Sequence, residues 1–81
     1  MTVVTLYGKP GCHLCEEAYA ELQQVEERAL FDIEVVDVSL DARLFRRYGE
    51  RIPVLAVDGE ELLELGFDAG SIRDALGRVG A

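Results

Sequence analysis

One stretch near the amino terminus joins a predicted strand to a predicted helix: Thr2-Val3-Val4-Thr5-Leu6-Tyr7-Gly8-Lys9-Pro10-Gly11-Cys12-His13-Leu14-Cys15. Its first half, residues 2–7, is β-branched and aromatic, which is typical of a buried strand, and the proline and glycine that follow end it. Apolar residues then recur at spacings of four and three, as on one face of a helix, at Leu14, Ala18, Leu22, Val25 and Ala29. The two cysteines are therefore predicted to lie in the first turn of this helix.

Cys12 and Cys15 are the only cysteines in the chain. A thiol at a helix start meets unpaired backbone N–H groups and the positive end of the helix dipole, and both favour the thiolate. Lys9 and a protonated His13 favour it too, although two acids in the same turn oppose them. We therefore expect the pKa of Cys12 to be lowered. Cys15 continues the apolar face, so we expect it to be the more buried partner of a reversible dithiol/disulfide pair.

Length and charge restrict the function. The 81 residues predict a single domain, residues 1–81, and the net charge of −8 should be repelled by phosphate backbones, so no nucleic acid partner is expected. No apolar run approaches the roughly 18 residues of a membrane span, and no secretory signal follows the first residue. We expect a cytoplasmic protein with no membrane partner. In that compartment a lone C-x-x-C is more often catalytic or metal-binding than a structural disulfide.

The middle of the chain is predicted to add a strand, residues 31–38, and a short helix. Ser39 or Asp41 can cap this helix, which ends at Gly49 and carries Leu44, Phe45 and Tyr48. Core packing or a position at an element end accounts for the aromatic side chains, which are Tyr7, Tyr19, Phe31, Phe45, Tyr48 and Phe67.

The remainder is predicted to form a hairpin and a final helix. The strands are residues 54–57 and 60–65, joined by the turn signal Asp58-Gly59. The last helix follows Asp68 and has an apolar side formed by Ile72, Ala75, Leu76 and Val79. The order β-α-β-α-β-β-α predicts an α/β fold. Its four-stranded mixed sheet would have a parallel first pair, joined by a right-handed crossover, and three flanking helices.

This order, with C-x-x-C at the first helix and an isoleucine–proline pair before the third strand, resembles the thioredoxin superfamily and most closely the glutaredoxins. Residues 9–15 resemble the glutaredoxin active-site segment, in which a basic residue lies three before the first cysteine. Arg51-Ile52-Pro53 resembles that family's threonine-valine-proline stretch. His13 and Leu14 replace its usual proline and tyrosine, and Leu65-Gly66 stands where it has a glycine pair. The chain is therefore identified as a divergent glutaredoxin-like protein with a C-H-L-C site.

The resemblance implies thiol–disulfide exchange in which Cys12 attacks and Cys15 resolves the mixed disulfide. It also implies a substrate groove formed by Lys9, His13, Leu14, Ile52, Pro53 and Asp68. A cis Ile52–Pro53 bond would leave the Ile52 backbone free to pair with an extended substrate. Lys9 would pair with a carboxylate of glutathione or of a substrate, and Asp68 with the amino group of a glutathione γ-glutamyl unit.

These assignments have structural alternatives. Cys15 can be a core thiol with no resolving role, and His13 a solvated residue with little effect on the thiolate. Pro53 can be a trans proline at the start of an edge strand. Lys9 can be a solvated loop residue. Asp68 can be the N-cap of the last helix, which we favour, and that role is compatible with ligand binding.

The predicted function is a thiol–disulfide oxidoreductase of cell redox homeostasis that needs no bound prosthetic group, with glutathione as a candidate co-substrate. Its expected substrate is a disulfide-bearing protein or a glutathione mixed disulfide, its electron donor is glutathione or a reductase, and it is expected to be a monomer. Two other classes stay open. One is a non-catalytic binding module whose cysteines act as a redox latch, and the other is a glutathione-dependent iron–sulfur or metal carrier. No zinc site is predicted within one chain, because Cys12, His13 and Cys15 supply at most three ligands.

Overall fold

The structure is a computed structural model that describes residues 2–27 and 31–78. In chain order these residues form β1 (Val3–Gly8), α1 (His13–Glu26), β2 (Asp32–Asp37), a 3₁₀ turn (Val38–Leu40), α2 (Ala42–Tyr48), β3 (Val54–Val57), β4 (Glu60–Glu64) and α3 (Ala69–Arg78). The predicted β-α-β-α-β-β-α order is confirmed. Two residues predicted to lie on apolar helix faces, Ala29 and Val79, are outside the described residues. None of the described helices has both the length and the apolar character of a membrane span.

Within the described residues the strands form one mixed sheet in the order β2-β1-β3-β4. β1 runs parallel to β2 and antiparallel to β3, and β3 and β4 form the predicted antiparallel hairpin. Asp58 and Gly59 in its turn have φ angles of 51° and 85°, as a tight hairpin turn requires. Because β1 is central, its carboxyl end lies beside both the end of β2 and the start of β3. The loop with the cysteines leaves the sheet at this point.

Two apolar clusters hold the sheet and helices together. The larger one lies between the sheet and the helices α1 and α3, and it contains Val4, Leu6, Ala18, Leu22, Val25, Phe31, Leu55, Val57, Ile72 and Leu76. The smaller one, which we call the site cluster, consists of Cys15, Val38, Tyr48, Ile52 and Val54. Successive strand residues point to opposite faces, so Leu55 and Val57 join the first cluster and Val54 the second. β3 therefore ties the main core to the cysteines.

Several element ends differ from the prediction by one residue. β1 starts and ends one residue later and β4 ends one residue earlier, while β2 is one residue shorter at each end. Asp37 closes β2 because its carboxylate accepts hydrogen bonds from the backbone N–H and the hydroxyl of Ser39, at 2.9 and 2.6 Å. Asp41, rather than Ser39, caps α2 by accepting a hydrogen bond from the N–H of Arg43 at 2.8 Å.

Three predicted core side chains are exposed instead. Leu14, Tyr19 and Phe45 have exposed fractions of 49%, 39% and 47%. In α1 the buried positions are Cys15, Ala18, Leu22 and Val25. Residues three and four apart share one helix face, and in the first turn Cys15 continues that face while its neighbour Leu14 points elsewhere. The apolar pattern of the sequence did not distinguish the two.

Candidate active site

The two cysteines form a disulfide across the first turn of α1. Cys12 is the N-cap, with extended backbone angles, and its Sγ accepts a hydrogen bond from the N–H of Cys15 at 3.2 Å. Their Cα atoms are 5.2 Å apart, within the usual range for a disulfide. Cys15 is 7% exposed and Cys12 is half-buried. Cys15 is thus the more buried of the two, as predicted, and Cys12 is the sulfur that a partner reaches first.

Gly8, which was not among the predicted site residues, lies close to Cys15 where the chain leaves β1. A Cβ at Gly8 would lie 3.1 Å from both Cβ and Sγ of Cys15, which is closer than ordinary van der Waals contact. Gly11 has a φ of 78°, a conformation that favours glycine. The N–H of Cys12 donates to the carbonyl of Lys9 at 3.4 Å. A glycine at a strand end often marks such a close approach, and this signal was present in the sequence.

Replacing Gly8 with Ala is expected to slow closure of the Cys12–Cys15 disulfide. The added methyl group must push the Cys15 side chain aside by a few tenths of an ångström, which should slow closure about two- to tenfold. The rate can be measured by mass spectrometry after mixing the reduced protein with diamide. Gly77→Ala is the matched control, because a Cβ there has no neighbour within 4 Å. It should close at the normal rate, and equal slowing in both variants would contradict this explanation.

The segment before β3 comes close to the cysteines. The Ile52–Pro53 peptide bond is cis, Pro53 is buried, and Ile52 lies in the site cluster with Cys15. Cys12 packs against the same cluster. The flanking carbonyls of Arg51 and Pro53 accept hydrogen bonds from the N–H of Leu65, at 3.1 and 2.9 Å. Within the described part of the chain, the backbone of Ile52 itself has no hydrogen-bond partner.

Arg51 anchors this segment through a network that no sequence pattern predicts. Its guanidinium donates to the carboxylates of Glu61 at 2.8 Å and Glu64 at 3.3 Å, and to the carbonyl of Arg47 at 3.1 Å. The hydrogen bond from Arg51 is the main cause that lowers the pKa of Glu61, and the same bond raises the pKa of Arg51. Arg51 immediately precedes Ile52, so the network helps to fix the backbone beside the cysteines.

Two stacked tyrosines lie beneath this network. The rings of Tyr7 and Tyr48 are stacked with centroids 4.2 Å apart, and the guanidinium groups of Arg47 and Arg51 lie 5.4 Å from the centroid of Tyr48. Burial is the main cause that raises the pKa of Tyr7, and the neighbouring Tyr48 hydroxyl adds to it. Tyr7, like Cys12, packs against the site cluster. The stack therefore adds aromatic packing to the site cluster beside the cysteines.

Three further predicted site residues, which are adjacent to the cysteines in the chain, have exposed side chains. The Nδ1 of His13 lies 3.7 Å from a carboxylate oxygen of Glu16, and both side chains are exposed, so this pair adds little stability. The ammonium group of Lys9 lies 5.9 Å from the ring centroid of Phe45, at the limit of a cation–π contact. Leu14 is half-exposed. No group of three or more metal-ligating side chains occurs in residues 2–27 and 31–78.

Asp68 caps the last helix. Its carboxylate accepts a hydrogen bond from the N–H of Ser71 at 2.8 Å, and its carbonyl accepts one from the N–H of Ile72 at 3.0 Å. The bond from the Ser71 backbone is the main cause that lowers the pKa of Asp68, followed by the Ser71 side chain. The capping interpretation is confirmed, and the role of Asp68 in binding a substrate stays a prediction.

Replacing Asp68 with Ala is expected to lower the urea midpoint of unfolding at pH 7. Since the folded-state pKa is depressed, the ionised carboxylate stabilises the protein above the unfolded pKa of about 3.9, and this contribution is lost as pH falls through the folded pKa. The difference from the wild type should therefore shrink at acidic pH. Asp68→Asn keeps a capping acceptor and should lose less at pH 7. Unchanged midpoints for both variants at pH 7 would contradict the capping role.

A mixed sheet of this order, with a cysteine pair at the start of the first helix and a cis proline before β3, defines a protein of the thioredoxin fold. The solved structure of a thioredoxin from Halobacterium salinarum NRC-1 superimposes with a TM-score of 0.71 over 95% of this chain and 73% of that one. Identity between the two is 22%, so this likeness shows the fold alone.

A family model and two solved structures of higher sequence identity show the family. The family model described as "Glutaredoxin-like domain (DUF836)" matches residues 3–77, and the chain belongs to this family. It is similar to the protein XcR50 from X. campestris, with 38% identity, a TM-score of 0.79, and coverage of 93% of this chain and 96% of that one. It is also similar to Ne2328 from Nitrosomonas europaea, with 33% identity, a TM-score of 0.77, and coverage of 90% and 88%. A glutaredoxin-like fold with two cysteines at disulfide distance fits a redox function.

Proposed function

We propose that this protein is a thiol–disulfide oxidoreductase that works through Cys12 and Cys15. The observation that carries the proposal is the position of the pair. A half-exposed Cys12 caps α1, and a buried Cys15 lies one turn behind it and forms a disulfide with it. The N-terminal N–H groups of α1 favour a thiolate at Cys12 once the disulfide is reduced. Cys12 is therefore assigned the attack and Cys15 the resolution.

In the proposed reaction the Cys12 thiolate attacks one sulfur of a substrate disulfide. The substrate S–S bond breaks, one substrate sulfur leaves as a thiolate that takes a proton from solvent, and the other forms a mixed disulfide with Cys12. Cys15 then loses its proton and attacks the Cys12 sulfur, which releases the second substrate thiol. Two electrons pass from the dithiol to the substrate, and the Cys12–Cys15 disulfide remains. Two glutathione molecules or a reductase return the electrons.

The surrounding residues support a groove for an extended substrate. The backbone of Ile52, which is unpaired among the described residues, can form a strand-like pair of hydrogen bonds with a substrate backbone, while Pro53 and the Arg51 network hold it in position. Leu14, His13 and Lys9 are exposed and adjacent to the cysteines in the chain, and we assign to them the apolar and charged contacts with the substrate. Asp68 is assigned to this groove only as a second role beside its cap. We expect the reaction to take place in the cytoplasm.

Replacing Cys15 with Ser tests the resolving step. Cys12 stays in place, so the first attack should proceed, but the mixed disulfide has no internal thiol to resolve it and should accumulate. The adduct is measured by mass after incubation with glutathione disulfide or with a disulfide-bearing protein. The double variant Cys12→Ser/Cys15→Ser is the control and should form no adduct. If the single variant also forms none with either substrate, the proposed order of attack is wrong.

The electron donor is determined by comparing two reductants on one substrate. Turnover of a glutathionylated peptide is measured with glutathione and, separately, with thioredoxin reductase. Faster turnover with glutathione supports a glutaredoxin-type reaction, and faster turnover with the reductase assigns the protein to the thioredoxin-type reaction. No turnover with either would favour the binding-module alternative.

A further inference from the structure

A small apolar cleft opens between α1 and β2, on the side of β1 away from Ile52. Its volume is about 270 Å³, and its lining includes Leu6, Gly8, Cys15, Tyr19 and Val35. Tyr19 and Val35 are 39% and 59% exposed, although both are large and apolar. The buried Cys15 forms part of the wall of this cleft. None of the residues assigned to catalysis or substrate binding, apart from Cys15 and Lys9, lines it.

The strand beside this cleft is an open edge. β2 is the outermost strand of the sheet, and its first residue, Asp32, donates its N–H to the carbonyl of Thr2 at 2.9 Å. Since the backbone groups of successive strand residues point to opposite sides, Asp32, Glu34 and Val36 face β1. The N–H and C=O groups of Ile33, Val35 and Asp37 therefore point outward, and no strand among the described residues pairs with them.

We propose that this edge and cleft form a docking site for an extended basic segment of a partner protein. The segment would add a strand to β2 through the backbone of Ile33 and Val35, in the manner of β-strand addition, and insert one apolar side chain into the cleft. The cleft is slightly smaller than the roughly 300–1,000 Å³ of small-molecule pockets, which suits a single side chain better than a cofactor.

Charge favours a basic occupant over a second copy of this chain. β2 carries the acids Asp32, Glu34 and Asp37, α1 adds Glu16 at the cleft, and Lys9 is the one base among the lining residues. The whole chain has a net charge of −8. Two copies paired along β2 would bring these acids together, and like charges directly opposite on a sheet are destabilising. Alternating lysine and apolar residues match both the acids and the cleft.

The docking site lies apart from Ile52 and Pro53, although Cys15 and Lys9 belong both to the cleft and to the proposed redox site. β3, with Ile52 and Pro53 before it, lies on one side of β1, and β2 lies on the other. A segment bound to β2 would therefore leave the Ile52–Pro53 side of the proposed substrate groove open. Its binding is measured on the oxidised protein, without turnover, so a failure here does not affect the proposed activity.

The test uses a cysteine-free peptide of alternating lysine and leucine, seven residues long, with acetylated and amidated ends. Amide chemical shifts are followed by NMR during titration into the oxidised protein. The expected changes centre on residues 33–37 and Tyr19. A peptide with glutamate in place of lysine should bind more weakly. Absence of binding at millimolar peptide, changes centred on Ile52, or equal binding of the acidic peptide would overturn the proposal.

Matched charge reversals locate the site. Glu34→Lys on β2 should weaken binding about two- to thirtyfold, since it replaces one exposed attraction by one repulsion. Glu60→Lys makes the same change in net charge on β4, at the opposite edge of the sheet, and should leave the affinity within about twofold of the wild type. Equal weakening by the two variants would show a response to net charge alone and would overturn the docking site.

Discussion

Replacing Cys12 with Ser is expected to reduce turnover of a disulfide substrate to the uncatalysed rate. Cys12 is the more accessible sulfur of the pair and stands at the start of α1, where its thiolate is favoured. A serine hydroxyl at this position is neither ionised nor a nucleophile toward sulfur, so no mixed disulfide can form. The measurement is the reduction of a glutathionylated peptide or of insulin with an excess of reductant.

The variant should remain folded, which makes the loss of activity interpretable. Cys12 is the N-cap of α1, and its sulfur accepts a hydrogen bond from the N–H of Cys15. Serine is among the preferred N-cap residues and can accept the same bond. The far-UV circular dichroism and the urea midpoint should therefore match those of the reduced wild type. A folded Cys12→Ser protein with full activity would refute the proposed mechanism.

Replacing Leu22 with Ala is expected to cost about 2–5 kcal/mol of unfolding free energy. Leu22 is fully buried in the main core between the sheet and the helices, so the substitution removes apolar contacts and leaves a cavity. For 81 residues the total is about 4–12 kcal/mol, so the variant loses a large part of it. The loss is measured by urea unfolding under reducing conditions.

Leu14→Ala is the matched control, because it makes the same change on the same helix. Leu14 is 49% exposed, and its truncation should change the unfolding free energy by less than about 0.5 kcal/mol. The contrast tests which face of α1 is buried. Equal losses from the two substitutions would contradict the orientation of the helix.

The element order was predictable because it depends on local patterns. β-branched runs, a spacing of three and four in the helices, and the Asp58-Gly59 turn each report on a few neighbouring residues. The ends of the elements were less predictable, since β2 is closed by a contact of the Asp37 side chain with Ser39. The exposure of Leu14, Tyr19 and Phe45 was missed because it depends on which other elements cover the helix faces. An apolar residue near the edge of a helix face fits the pattern whether or not another element covers it.

Some residues of the candidate site were predictable from the sequence and others were not. Cys12 and Cys15 were recognisable because residues three apart lie about one helical turn from each other, so their proximity follows from local geometry alone. Arg51 was not recognisable, because its partners Glu61 and Glu64 reach it only after the β3–β4 hairpin has formed. Asp68 was predicted as a cap from its position before a helix, and the structure has it there.

The sequence by itself determined the order of strands and helices and the pairing of Cys12 with Cys15 at the start of α1. Only the tertiary structure decided what surrounds that pair. Gly8 lies against Cys15, Ile52 joins its apolar cluster, and a cleft opens behind it along the free edge of β2. The physical reason is the central position of β1 between β2 and β3, which brings segments remote in the chain to one end of the sheet. No local pattern of residues encodes that neighbourhood.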